Sequence, residues 1–198
     1  MNSLRLTSSQ RPQQGYTLVE LAISVAILSV LIVAGLLGVQ SILTSGKVND
    51  QIKTVAKLSA KASALFSSSG TSGITQKQMI NVGAWDASKA NSASVVTSSF
   101  GSTESIESNT AVIGDMAANT GFVYTIRAIP QAACADLASG LSGFVYALNV
   151  GEASSVAPTT KAGWDGSVKP PGAANVSISN LASGCTKATS DFHMAIKP

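Results

Sequence analysis

The chain has 198 residues, of which 45% are hydrophobic and only 12% charged, with a formal net charge of +3. No block of like charge forms a basic patch, so specific nucleic-acid binding is unsupported. Two cysteines and one distant histidine lack the clustered spacing that zinc requires, and neither metal nor cofactor is expected.

In chain order, residues 1–15 are polar and carry Arg5 and Arg11 without an acid, which keeps them cytoplasmic by the positive-inside rule. Residues 21–46 then hold no formal charge. A spanning helix needs about 20 mostly apolar residues, so this run is long enough to cross a bilayer with some tilt. Glu20 stands one turn inside the apolar register. A carboxylate at membrane depth costs on the order of 2.5–3.5 kcal/mol, which marks the residue as functional by default. Its bland alternative is a side chain snorkelling to the headgroups. An ordinary secretory signal has an apolar region of about 7–15 residues with its cleavage site behind it. Here the run is longer and the Gly-aromatic-Glu site lies before it, although a plain signal anchor stays an alternative.

Past Gly46 the pattern becomes amphipathic, with Val48, Ile52, Val55, Leu58, Ala62, Leu65 and Phe66 recurring at steps of three and four. Lys53, Lys57 and Lys61 form the polar stripe, and Asp50 is spaced to pair with Lys53. No proline interrupts residues 17–67, which allows one helix of about 75 Å. Gly35, Gly38 and Gly46 are its weak points. Ser/Gly-rich residues 67–73 end it. Residues 70–120 are polar, with short apolar islands such as Met79-Ile80, Trp85, Val95-Val96 and Val112-Ile113 to tether them; without those the composition is that of a disordered segment. A short helix is expected at 76–80.

From Phe122 the signal changes to strand. Residues 122–129 alternate and are rich in β-branched and aromatic side chains, and Pro130 closes them. Residues 131–139 form a short helix ended by Gly140, and 143–150 a second strand. A Gly/Pro/Ser-rich excursion holding Trp164 follows. Residues 176–181 and 192–196 complete the strand candidates, in an antiparallel sheet that covers the exposed half of the long helix. With this region across the membrane, Cys134 and Cys185 predict one disulfide in an oxidising compartment; two free cytosolic thiols are the alternative. His193, the only histidine, lies beside Asp191 with no nucleophile elbow, and Asp165-Gly166 is a turn signal without calcium-loop spacing. No catalytic residue is assigned.

The stretch Gly15-Tyr16-Thr17-Leu18-Val19-Glu20 ahead of a long apolar helix resembles the processing site of type IV pilins. Pro130-Gln131-Ala132-Ala133-Cys134 and Gly184-Cys185-Thr186-Lys187 look like the two disulfide half-sites of the type IVb branch, which the long leader and N-terminal tyrosine also fit. The resemblance implies an α+β type IV pilin fold: a long N-terminal α-helix packed on an antiparallel β-sheet, with a disulfide-bounded C-terminal region. It implies a cleaved leader (1–15), a transmembrane and filament-core half-helix (16–45) and a globular domain (46–198). That domain divides into half-helix (46–67), variable αβ-loop (68–120) and sheet with disulfide (121–198). Prepilin peptidase would cut between Gly15 and Tyr16, with N-methylation of Tyr16. Removing Arg5 and Arg11 from the 13 basic residues leaves 11 against 10 acids, or +1. The Tyr16 amine would meet Glu20 of an adjacent subunit, making Glu20 a register device. The implied role is a structural subunit of a surface filament serving adhesion, conjugation or a related function, and not an enzyme. Its partners would be its own copies, the peptidase, the inner-membrane assembly platform, membrane lipid before assembly, and a host or cell-surface receptor. It would sit in the inner membrane with its C-terminal domain periplasmic, then in an extracellular pilus. A minor pilin or secretion-system pseudopilin shares the same site, and a signal-anchored adhesive domain is the alternative from another class.

Overall fold

The computed structural model describes residues 16–66, 70–86, 88–91 and 95–198. Five helices and five strands occur among them: α1 (Leu18–Phe66), α2 (Gln76–Asn81), β1 (Val96–Thr97), β2 (Thr103–Ser108), β3 (Phe122–Pro130), α3 (Gln131–Leu141), β4 (Ala147–Glu152), α4 (Lys161–Asp165), α5 (Ile178–Gly184) and β5 (Thr189–Ile196). The chain separates into two compact units, one ending at Ile42 and the other Leu43–Pro198.

In the second unit an antiparallel sheet has the order β1-β2-β3-β5-β4. One face takes the amphipathic stripe of α1 and the helix α3. Val48, Val55, Leu58 and Ala62 share a core with Ala133, Leu137 and Leu141 of α3 and with Phe122, Tyr124, Ile126, Phe192, Met194 and Ile196. The helical period that predicts this stripe is therefore the one that buries it, while Lys53, Lys57 and Lys61 stay exposed. The other sheet face is covered too. Trp164 of the excursion, with Ile113 and Met116, packs on Ala147 and Ala195. Alternate residues of β3 and β5 thus meet protein on both sides, and seven of the eight residues of β5 are buried.

The described residues of the region 70–120 are more ordered than its composition suggests. Thr75 caps α2 in a capping box with Gln78, and β1 and β2 extend the sheet through five paired residues with β3. Met79, Trp85, Val96 and Ile106 enter the main core, so a few apolar islands suffice once their backbone has a strand to pair with. Residues 176–181 are not a strand. Ser177 caps the helix α5 instead, and the edge of β4 on that side is engaged at Leu148 by Lys169. β4 begins at Ala147, four residues later than the pattern predicts, because 142–144 turn out of α3. Gly140 does not end α3. The helix runs on to Leu141, and the bare Cα of Gly140 leaves room for Ile52 Cδ1, which would lie 2.3 Å from a Cβ there. Asp50 pairs with Lys89 at 2.7 Å rather than with Lys53.

Candidate functional site

The first unit begins with a helix start made by Thr17. Its carbonyl accepts the Leu21 N–H at 3.1 Å and its Oγ1 accepts the Glu20 N–H at 3.3 Å. Glu20 is thus the third residue of α1, where a carboxylate faces the positive end of the helix dipole. Thr-x-x-Glu is a capping-box spacing, a signal in the sequence that the membrane pattern alone does not use. Tyr16 is 80% exposed and Glu20 is exposed. Gly15 lies outside the described residues.

Over the segment that follows Glu20, up to Val39, none of the described residues covers the helix. Leu21, Ile23, Val25, Ile27, Leu28, Val30, Leu31, Ile32, Val33, Leu36 and Val39 are all more than half exposed. Ser24 and Ser29 donate their hydroxyls back to the carbonyls of Glu20 and Ala26, each at 2.8 Å, which hides polarity from the helix surface. Among the described residues one helix is long and apolar enough to cross a membrane, and it is this one. A continuous apolar surface of this kind marks a membrane or protein contact.

In the second unit, polar groups lock α1 to its surroundings in ways its apolar stripe does not reveal. Gln51 is fully buried and donates from Nε2 to Glu104 Oε1 at 2.7 Å; Trp85 Nε1 donates to Glu104 Oε2, also at 2.7 Å. Burial, reinforced by the Glu104 charge, holds the Tyr124 hydroxyl well above its usual pKa. Asp50 accepts from Lys89 and from Ser99, and the Lys89 hydrogen bond draws its carboxyl below the ordinary carboxylate range. Lys57 pairs with Asp86 at 2.6 Å.

Cys134 and Cys185 are joined, with their Cα atoms 5.8 Å apart. Cys134 is buried on α3, and Cys185 is the C-cap of α5. The bridge therefore links the helix that leaves β3 to the segment that enters β5.

On the outer face, Asp191 is fully buried and accepts from Arg127 Nη1 (2.9 Å), from Ala128 N–H (2.8 Å) and from Ser154 N–H (2.9 Å). Ala128 sits in a β-bulge at φ 50°, a left-handed conformation costly for alanine, and the carboxylate holds its N–H there. His193 does have a serine beside it: Ser155 Oγ is 2.9 Å from Nε2, and Thr125 Oγ1 is 3.0 Å from Nδ1. The ring is 1% exposed, and Asp191 serves Arg127 and the backbone rather than the imidazole. That geometry fastens a loop and presents no nucleophile to a substrate.

Residues 10–36 match the prokaryotic N-terminal methylation motif. No curated protein matches the chain in sequence. In structure it is similar to the type IVb pilin of Salmonella typhi, with 18% identity, a TM-score of 0.54, and coverage of 76% of this chain and 99% of that one. It is likewise similar to TcpA, a type IV pilin from the El Tor biotype of Vibrio cholerae. There the identity is 19% and the TM-score 0.55, with 76% of this chain and 98% of that one covered. The methylation motif thus stands at the head of a chain whose fold is like that of type IV pilins. The chain carries a prepilin-type N-terminus on the type IV pilin fold, and its structural likenesses are to class b.

Proposed function

We propose that this chain is the structural subunit of a bacterial type IVb-like pilus. The observation that carries the reading is the bare apolar half of α1, opened by an exposed Glu20, ahead of a domain with the pilin fold. Lipid covers that surface before assembly, and the same surface of neighbouring copies covers it afterwards. Prepilin peptidase cuts between Gly15 and Tyr16 and Tyr16 is N-methylated, which leaves a positive amine one residue before the Thr17 cap. A helix N-terminus repels that amine, so it gains from a carboxylate. Glu20 of an adjacent subunit supplies one, and pairing removes the cost of a lone acid in an apolar bundle. Docking is therefore favoured at the stagger that aligns the two charges. The globular domain faces the periplasm and then the filament exterior, where its loops meet a receptor. Adhesion, conjugation or a related surface function is the role this reading gives the filament.

Intact-mass analysis of the mature protein tests the reading at its root. The expected mass lacks residues 1–15 and carries one added methyl group. A mature protein retaining residues 1–15 refutes it.

A further inference from the structure

The stretch that leaves β4 is tied to the sheet by few groups. Glu152, Ala153, Ser154 and Val156 are exposed, Val156 at 80%, so apolar burial contributes little until Trp164. Ser155 N–H closes a turn onto the Glu152 carbonyl at 3.0 Å, with Ser154 at φ 68°. Three bonds hold this turn to the sheet. Ser154 N–H donates to Asp191 Oδ2 at 2.9 Å, Ser155 Oγ meets His193 Nε2 at 2.9 Å, and Arg127 Nη1 reaches the Ser155 carbonyl at 3.4 Å. Every sheet group in that set is an ionisable side chain.

His193 is the one among them that is neutral when buried. Its Nδ1 is engaged by Thr125 of β3, and in register it faces Thr125 on one side and Asn149 of β4 on the other. Arg127 of β3 and Asp191 of β5 are the charges that act on it. Asp191 is committed to Arg127 and two backbone N–H groups, and Glu152 at the end of β4 pairs with Lys187 at 2.9 Å. A proton on the ring would thus place a second cation near Arg127, in a site closed to water.

We propose that His193 is an acid-sensitive latch that holds residues 153–157, between the Glu152 end of β4 and the Pro158 carbonyl bound by Trp164 Nε1, on the outer face of the sheet when neutral and releases them when protonated. Opening uncovers the ring to water while Arg127 and Asp191 stay with it on the sheet, so the desolvation that disfavours the imidazolium is relieved and the open form binds the proton more tightly. Burial brings the imidazole of the closed form down to about 4, with Asp191 opposing and Arg127 assisting. The sign follows from a depressed value. The latch is fully closed above the ordinary histidine pKa of about 6.5 and weakens as pH falls towards 4. Between pH 7 and pH 4.5 those two values raise the opening equilibrium on the order of 50-fold.

The test is amide hydrogen exchange on the full chain in detergent micelles at pH 7 and pH 4.5, corrected for intrinsic rates. The amides of Ser154 and Ser155, bonded to Asp191 and to the Glu152 carbonyl, should lose protection on the order of 50-fold while β3 and β5 keep theirs. In His193→Gln, which retains a donor and an acceptor but does not titrate, protection of the segment should be the same at both pH values. The NMR titration of the wild-type ring should have its midpoint near 4 and track the opening, which keeps the proposal testable if the variant fails to fold. Unchanged protection at pH 4.5, an equal loss in His193→Gln, a loss spread uniformly over the sheet, or a ring midpoint near 6.5 would each overturn it.

Discussion

Replacing both cysteines by alanine should lower the stability of the globular unit without changing its fold. The bridge spans a sequence separation of 51. For a loop of that length the chain-entropy relation gives about 4 kcal/mol of stabilisation, exerted by restricting the unfolded chain. The native side of the balance should change little. The β3–β5 ladder reaches Pro130 opposite Thr189, so the elements carrying the two cysteines are already held side by side. For a domain of this size, 1 kcal/mol shifts the melting temperature by about 2–4 °C, which predicts a fall of roughly 8–16 °C. The assay is thermal unfolding followed by circular dichroism, comparing the full chain with Cys134→Ala/Cys185→Ala under identical detergent conditions. Thiol labelling of the denatured, unreduced wild type should find no free thiol. A melting temperature within about 3 °C of wild type would show that the bridge does not limit the unfolded chain. Two labelled thiols would show that it does not form. Loss of about 4 kcal/mol is a large share of the roughly 5–15 kcal/mol that domains have, so the variant should also yield few pili.

Other perturbations separate the parts of the molecule. Glu20→Ala should insert into membranes at least as well as wild type yet assemble few filaments, because it removes a costly acid and the proposed partner of the neighbouring amine; normal surface piliation by electron microscopy would end the register reading. Replacing Gly15 with a bulky residue should leave residues 1–15 attached, read as intact mass, and normal processing would refute the cleavage assignment. Asp191→Asn should cost about 1–3 kcal/mol in thermal unfolding, since its amide group turns an N–H towards one of three donors now satisfied by the carboxylate. A fragment beginning at Leu43, where the second compact unit starts, should be soluble and monomeric with both helix and sheet in its circular dichroism. Aggregation of that fragment would show that the unit needs the preceding helix.

The sequence by itself determined the features that depend on local pattern and on solvent. An uncharged run longer than a bilayer is thick, with one carboxylate at its start, has few physical readings, and α1 carries it at the expected place. The stripe from Val48 to Ala62 and the alternation in residues 122–129 are legible because helix and strand each impose a fixed period on burial. Two cysteines left one pairing to make. What the tertiary structure decided is where a residue's surroundings come from distant parts of the chain. Glu104 and Gln51 look like solvated polar residues until Trp85, 19 residues before Glu104, supplies the second donor that lets the carboxylate be buried. Residues 70–120 have the composition of a loose connector, and only pairing with β3 turns part of them into sheet. The 176–181 segment has enough apolar residues for a strand, but the Ser177 cap makes it a helix. Asp191 and His193, two residues apart on one face of β5, look like a pair in sequence, but the bulge at Ala128 turns the carboxylate to Arg127 and two backbone N–H groups and leaves the imidazole to Ser155 and Thr125. Periodicity is a property of the local chain, whereas satisfying a buried polar group requires knowing what lies across the fold.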